Sequence, residues 1–168
     1  MSEQELNLVD AIQIALEAEK QSAAMYKEAA ENAKDSVIKD LFSSLSSFEQ
    51  HHYEKVNELA DSLKKKGKFV VYEGYSLPIP AQSEIPMSEE AKKTLNAGKP
   101  SMMSVLTLAQ EVEAQAVKRY TSMGEQTDDK EGKKMFGKLA QEEQQHLTLM
   151  TEVYWNVNNR GIWAWSGL

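Results

Sequence analysis

Residues of this chain recur at a constant spacing of 94 positions, with no gap inside either copy, and seven of these identities form a pattern. Glu19 corresponds to Glu113, Gln21 to Gln115, Tyr26 to Tyr120, Phe42 to Phe136, Leu45 to Leu139, Glu49 to Glu143 and His52 to His146. Such a repeat within 168 residues points to a duplicated unit, and each copy reads as a pair of helices. In the first copy Val9, Ile12, Leu16, Ala23, Tyr26 and Ala30 fall at steps of three, four and seven. That is one face of a helix over about 3–34, free of Gly and Pro. Asp35 and Ser36 suit the cap of a second helix, which carries the stripe Ile38, Leu41, Leu45, Phe48, His52, Val56, Leu59 and Leu63 and closes at Gly67. So short a connection makes the two helices antiparallel neighbours.

The second copy repeats the plan. Leu106, Ala109, Ala116 and Tyr120 share a face of a helix over about 101–125. Thr127, Asp128 and Asp129 offer caps for the next, whose stripe is Phe136, Leu139, His146, Met150, Val153 and Val157. Between the copies the character changes. Phe69-Val70-Val71-Tyr72 reads as a short extended run, and Pro78, Pro80 and Pro86 forbid a continuous helix. Ser88 to Gly98 then reads as a short capped helix. Some 34 residues are too few to bury a core of their own. The expectation is one all-α domain, a four-helix bundle built as hairpin 3–66, crossover 67–100, hairpin 101–158 and tail 159–168. A crossover of that length can travel the bundle, about 40 Å, so that the second and third long helices run parallel.

The polar members of the repeat lie inside the apolar stripes. Glu19 follows Leu16 by three and precedes Ala23 by four. Glu113 follows Ala109 by four and precedes Ala116 by three. Glu49 and Glu143 each follow a core leucine by four, and His52 and His146 lie three further on. All six side chains should point into the bundle. Burying four carboxylates costs several kcal/mol each unless something compensates, and the stripes offer no Lys or Arg beside them. Two divalent cations would cancel the four charges, and carboxylate oxygens with neutral imidazoles are ligands that iron and manganese accept. A single Glu-x-x-His on a helix is usually a surface pair. Two of them, each with an in-stripe Glu upstream at equal spacing, favour a metal site.

Other residues have two readings. Tyr26 and Tyr120, two turns from the helix glutamates, either donate hydrogen bonds to the ligands or fill the core. Gln21 and Gln115 either support the ligands or lie on the surface. His51 is about 100° round the helix from His52 and should face solvent. Trp155, Trp163 and Trp165 read as caps on the bundle end or a subunit contact.

Composition excludes several functions. The chain has no cysteine, so disulfides, thiolate metal sites and cysteine nucleophiles are out. The formal net charge is -7 and the one basic run, Lys64-Lys65-Lys66-Gly67-Lys68, ends a helix. No basic stripe is available for nucleic acid. No apolar run could span a membrane, and the polar, acidic start is no signal peptide. A soluble, cytoplasmic protein is expected, with a homodimer favoured by base rate.

Glu19…Tyr26, Glu49-Gln50-His51-His52, Glu113…Tyr120 and Glu143-Gln144-Gln145-His146 resemble the rubrerythrin-like branch of the ferritin-like superfamily. The resemblance covers both hairpins. Its four helices supply a Glu from each of two and Glu-x-x-His from each of the others. It implies a ferritin-like bundle with one long crossover, two iron ions held by Glu19, Glu49, His52, Glu113, Glu143 and His146, and bridging roles for Glu49 and Glu143. It also implies oxidoreductase chemistry with hydrogen peroxide or dioxygen, of peroxidase or ferroxidase type. Electrons would come from a separate donor such as a rubredoxin-type protein. The sequence departs from full rubrerythrins in lacking the rubredoxin-type domain. It also carries Ala116 where those proteins have an additional Glu one turn along the third helix. The alternatives are a non-enzymatic iron-binding protein and a metal-free helical interaction module.

Overall fold

The computed structural model describes residues 3–75, 84–96 and 102–166. Among them are five α-helices: α1 (Glu3–Asn32), α2 (Ser36–Lys66), α3 (Glu89–Asn96), α4 (Met102–Gln126) and α5 (Lys130–Arg160). Two two-residue strands, β1 (Ile85–Pro86) and β2 (Ile162–Trp163), pair antiparallel. The molecule is an all-α bundle in which α1 packs on α2 and α4 on α5, with α1 also against α4.

The directions follow from contacts between helices. Tyr26 meets Glu113 while Tyr120 meets Glu19, so α1 and α4 are antiparallel. His52 meets Glu142 and Glu143 while His146 meets Glu49, so α2 and α5 are antiparallel as well. Because α1 and α2 form a hairpin, α2 and α4 run parallel, as the long crossover allows. Pro78, Pro80 and Gly98 lie outside the described residues.

Local chemistry sets the helix ends. Gly67 and Gly161 sit at φ +62 and +63, the left-handed region glycine tolerates, and donate to Leu63 and Val157. Asp129 accepts from the Gly132 N–H at 2.9 Å, as its position at the start of α5 suggests. Asp35 stands at the N-cap of α2 but makes no capping bond. Its carboxylate accepts instead from the indole N–H of Trp163 at 3.0 Å. The Phe69–Tyr72 run pairs with no strand, yet Tyr72 is buried and Phe69 and Val70 pack on the core.

That core comes in two parts. One holds Tyr26, Leu41, Phe42, Leu45, Leu106, Met150, Val153, Trp163 and Trp165. The other holds Leu8, Ile12, Leu16, Val56, Leu59, Tyr120, Phe136 and Leu139. The repeat interchanges them: Tyr26 stacks on Phe42 in the first (6.0 Å) and Tyr120 on Phe136 in the second (6.4 Å). Along every long helix, Glu19, Glu49, His52, Glu113, Glu143 and His146 fall between the two parts. Trp163 and Trp165 are buried in the core, whereas Trp155 is 56% exposed. Near the start of α1, Leu8 faces inward and Val9 is exposed, a one-residue rotation from the expected stripe.

Candidate metal centre

Between the two apolar layers all six polar residues are at least 98% buried. They form two overlapping groups, Glu19–Glu49–His52–Glu143 and Glu49–Glu113–Glu143–His146. Within each group one donor atom per residue lies within 4.8 Å of the others. Glu49 and Glu143 belong to both. The imidazoles face each other at 5.9 Å, and both turn Nδ1 toward the carboxylates. His52 Nδ1 is 3.1 Å from Glu143 and 3.9 Å from Glu19. His146 Nδ1 is 3.2 Å from Glu143, 3.2 Å from Glu49 and 3.7 Å from Glu113.

Electrostatics separate the carboxylates. Burial, then the Glu143 and Glu113 charges, pushes Glu49 well above the usual carboxylate range. Burial and Glu143 raise Glu19. Burial pushes Glu113 up to about 7, with hydrogen bonding from His146 acting the other way. Burial opposes ionisation of Glu143 too, but the charges and hydrogen bonds of both histidines outweigh it and hold this group below the usual range. Burial alone would lower His52 and His146. The surrounding carboxylates overcome it and raise both well above the ordinary histidine value. Without a cation, then, the cluster holds its charge with protons.

The residues fit a pair of cations on an independent observation. Glu49 Oε1 lies 3.2 Å from His146 Nδ1. Among the described residues it is the buried side-chain oxygen or nitrogen without a hydrogen bond. An acceptor left bare in a closed core is costly, and Glu49 belongs to both groups. The donor set, carboxylate oxygen with imidazole nitrogen, suits iron, manganese and zinc.

The tyrosines take the supporting role. Tyr26 donates to Glu113 and Tyr120 to Glu19, each across to the other hairpin. Burial, then the charges of those glutamates, raises both phenols far above their ordinary range and keeps them protonated donors. Gln21 and Gln115 correct the alternative placed near the ligands. Both are exposed, and Gln21 bonds Glu17 on its own helix. Two residues along a helix is about 200° of rotation, which turns each away from its glutamate. His51 is also corrected: it is only part-exposed, with its ring stacked on Tyr75 at 3.8 Å.

Among the described residues one buried carboxylate lies outside the repeat. Glu142 is 4% exposed. It faces His52 Nε2 at 3.0 Å and accepts from the Tyr72 hydroxyl at 2.6 Å and the Tyr75 N–H at 2.8 Å. Its counterpart 94 positions earlier is Phe48, whose ring packs edge-on against His146 at 4.8 Å. The repeat is not kept at this position, as at most others, so nothing in the sequence singles out Glu142. A surface hollow of about 940 Å³ along α5 near Trp155 and Arg160 is lined by none of the six residues.

The family model described as Rubrerythrin matches residues 1–60 and 104–161, covering both hairpins and all six buried residues. Among solved structures, a hypothetical protein from Pyrococcus furiosus matches with a TM-score of 0.67 at 23% identity, over 90% of each chain. At that identity the likeness speaks for the fold. No curated protein gives a significant match.

Proposed function

Because this chain belongs to the rubrerythrin family, we propose that its buried cluster holds two iron ions and that the protein is an oxidoreductase acting on hydrogen peroxide or dioxygen. The observation that carries the reading is the paired donor groups sharing Glu49 and Glu143. Glu19 and His52 would serve one ion and Glu113 and His146 the other, with Glu49 and Glu143 common to both. Two bound ferrous ions would supply one electron each to an O–O bond and stabilise the two oxygens as they separate. The chain's own residues prepare for that. Tyr26 and Tyr120 hold the terminal carboxylates in place from across the bundle. Phe48 packs against both histidines and excludes water from that side. The chain has no cysteine for a second redox centre of rubredoxin type, so re-reduction is assigned to a separate donor protein. No described helix is long and apolar enough to cross a membrane.

Ala116, buried one turn along α4 from Glu113, favours a second reading: an iron-binding protein without sustained turnover. Steady-state peroxide consumption with a supplied reductant separates the two. Continued consumption over many equivalents per centre supports the oxidoreductase. A single stoichiometric oxidation of bound iron supports the iron-handling protein and overturns the proposal.

Two predictions follow at the ligands. Tyr26→Phe removes the donor to Glu113 but keeps the ring on Phe42. Iron affinity should fall about tenfold with the fold intact, as for other groups that orient a ligand. Anaerobic iron titration beside a denaturation curve checks both halves. Glu113, pushed up to about 7, must give up its proton to bind a cation. Below that value the apparent affinity should fall about tenfold per pH unit for each proton displaced. Calorimetry in buffers of different ionisation enthalpy should register the proton release, and a pH-independent affinity between pH 5 and 7 contradicts the assignment.

A further inference from the structure

We infer that Glu142 is a positioning residue that makes the two halves of the centre unequal, fixing His52 with Nδ1 free for a cation while Phe48 occupies the matching place beside His146. The inference rests on the two-metal reading above.

An ionised carboxylate only accepts hydrogen bonds. With Glu142 Oε2 3.0 Å from His52 Nε2, Nε2 keeps its proton when a cation displaces the one on Nδ1, the nitrogen that faces Glu19, Glu49 and Glu143. Glu142 is itself tied down by the segment after α2. Tyr72 donates its hydroxyl and Tyr75 its backbone N–H. Gly74 lets the chain come so close. It sits at φ +96, and a Cβ there would lie 2.8 Å from Glu142 Oε1 and collide with the Lys138 side chain. The crossover is thus bonded to one imidazole of the centre through a single carboxylate.

Among the described residues no carboxylate is shown in the same place behind His146. At the corresponding position Phe48 sets a ring edge against His146, 73° from its plane, and an apolar ring gives an imidazole N–H no carboxylate to bind. A carboxylate behind a ligating histidine fixes its tautomer and raises its basicity. The Glu19–His52 half should therefore hold its cation more tightly than the Glu113–His146 half.

The test compares wild type, Glu142→Gln and Tyr72→Phe. Each is titrated anaerobically with ferrous iron, then loaded with zinc so that the histidine N–H protons can be followed by NMR. In Glu142→Gln the amide nitrogen can donate toward Nε2, competing with Nδ1 ligation. One binding step should weaken ten- to a hundredfold while the other changes by less than about threefold, and the Nε2–H resonance of His52 alone should move. Tyr72→Phe should shift the same resonance less. If Glu142→Gln does not fold, Tyr72→Phe decides: a shifted His52 resonance supports the inference and an unmoved one overturns it. Equal weakening of both steps overturns it, because that is what a merely structural role produces. Unchanged binding in Glu142→Gln overturns it too, while leaving the two-metal reading standing. Wild-type protein that takes up no metal overturns both.

Discussion

Glu49→Gln should stabilise the metal-free protein at pH 7, and Glu143→Gln should destabilise it, although the two residues occupy the same place in the repeat. Burial and neighbouring charge raise Glu49. A carboxyl with a raised folded value contributes stability below its unfolded value, near pH 4, and loses it as pH rises. At pH 7 the native side chain carries that loss and glutamine does not. The expected gain is about 1 kcal/mol, vanishing near pH 4. Glu143 is the opposite case. Both imidazoles hold it ionised, so its contribution is present above its unfolded value and fades only as pH falls through its depressed folded value. Removing it strands two buried histidines, which costs about 3 kcal/mol or more. Urea denaturation of metal-free protein at pH 7 and pH 4 reads both effects. Shifts in the same direction at pH 7 would contradict the charge assignment.

Metal should change stability by more than either substitution gains. A ligand that binds only the folded state adds about 4 kcal/mol at a thousandfold excess over its dissociation constant. For a chain of this size that is an increase in Tm of about 10 °C. Ferrous iron added without oxygen should produce it, and a chelator should reverse it. In Glu143→Gln the increment should shrink to a small fraction, because a group shared by both donor sets is gone. A metal-free interaction bundle predicts no increment in any variant.

The buried cluster of six was legible because two independent patterns agree on it. The repeat marks each residue twice, and the apolar stripes put all six on inward faces, where carboxylates need compensation. The bundle was legible for the same reason: helical period, caps and a long crossover admit few arrangements. The failures are equally physical. Gln21 and Gln115 are marked by the repeat but stand about 200° from their glutamates, so recurrence without the right face misled. Asp35 has the identity and backbone of a cap, yet the indole of Trp163, 128 positions away, claims its carboxylate. Glu142 could not be read from its own helix, where it sits beside the stripe at a position that is normally solvated. Tyr72 and the Tyr75 backbone cover it, and no local periodicity reports contacts made by a crossover. The pairing of β1 with β2 is invisible for the same reason.

The central claim is that the buried cluster holds two cations. Anomalous scattering at the iron edge, on crystals of protein loaded with ferrous iron without oxygen, tests it most directly. Two peaks per chain are expected between α1, α2, α4 and α5, one beside His52 Nδ1 and one beside His146 Nδ1, with Glu49 and Glu143 reaching both. No peak in the core, or peaks only at surface carboxylates, would contradict it.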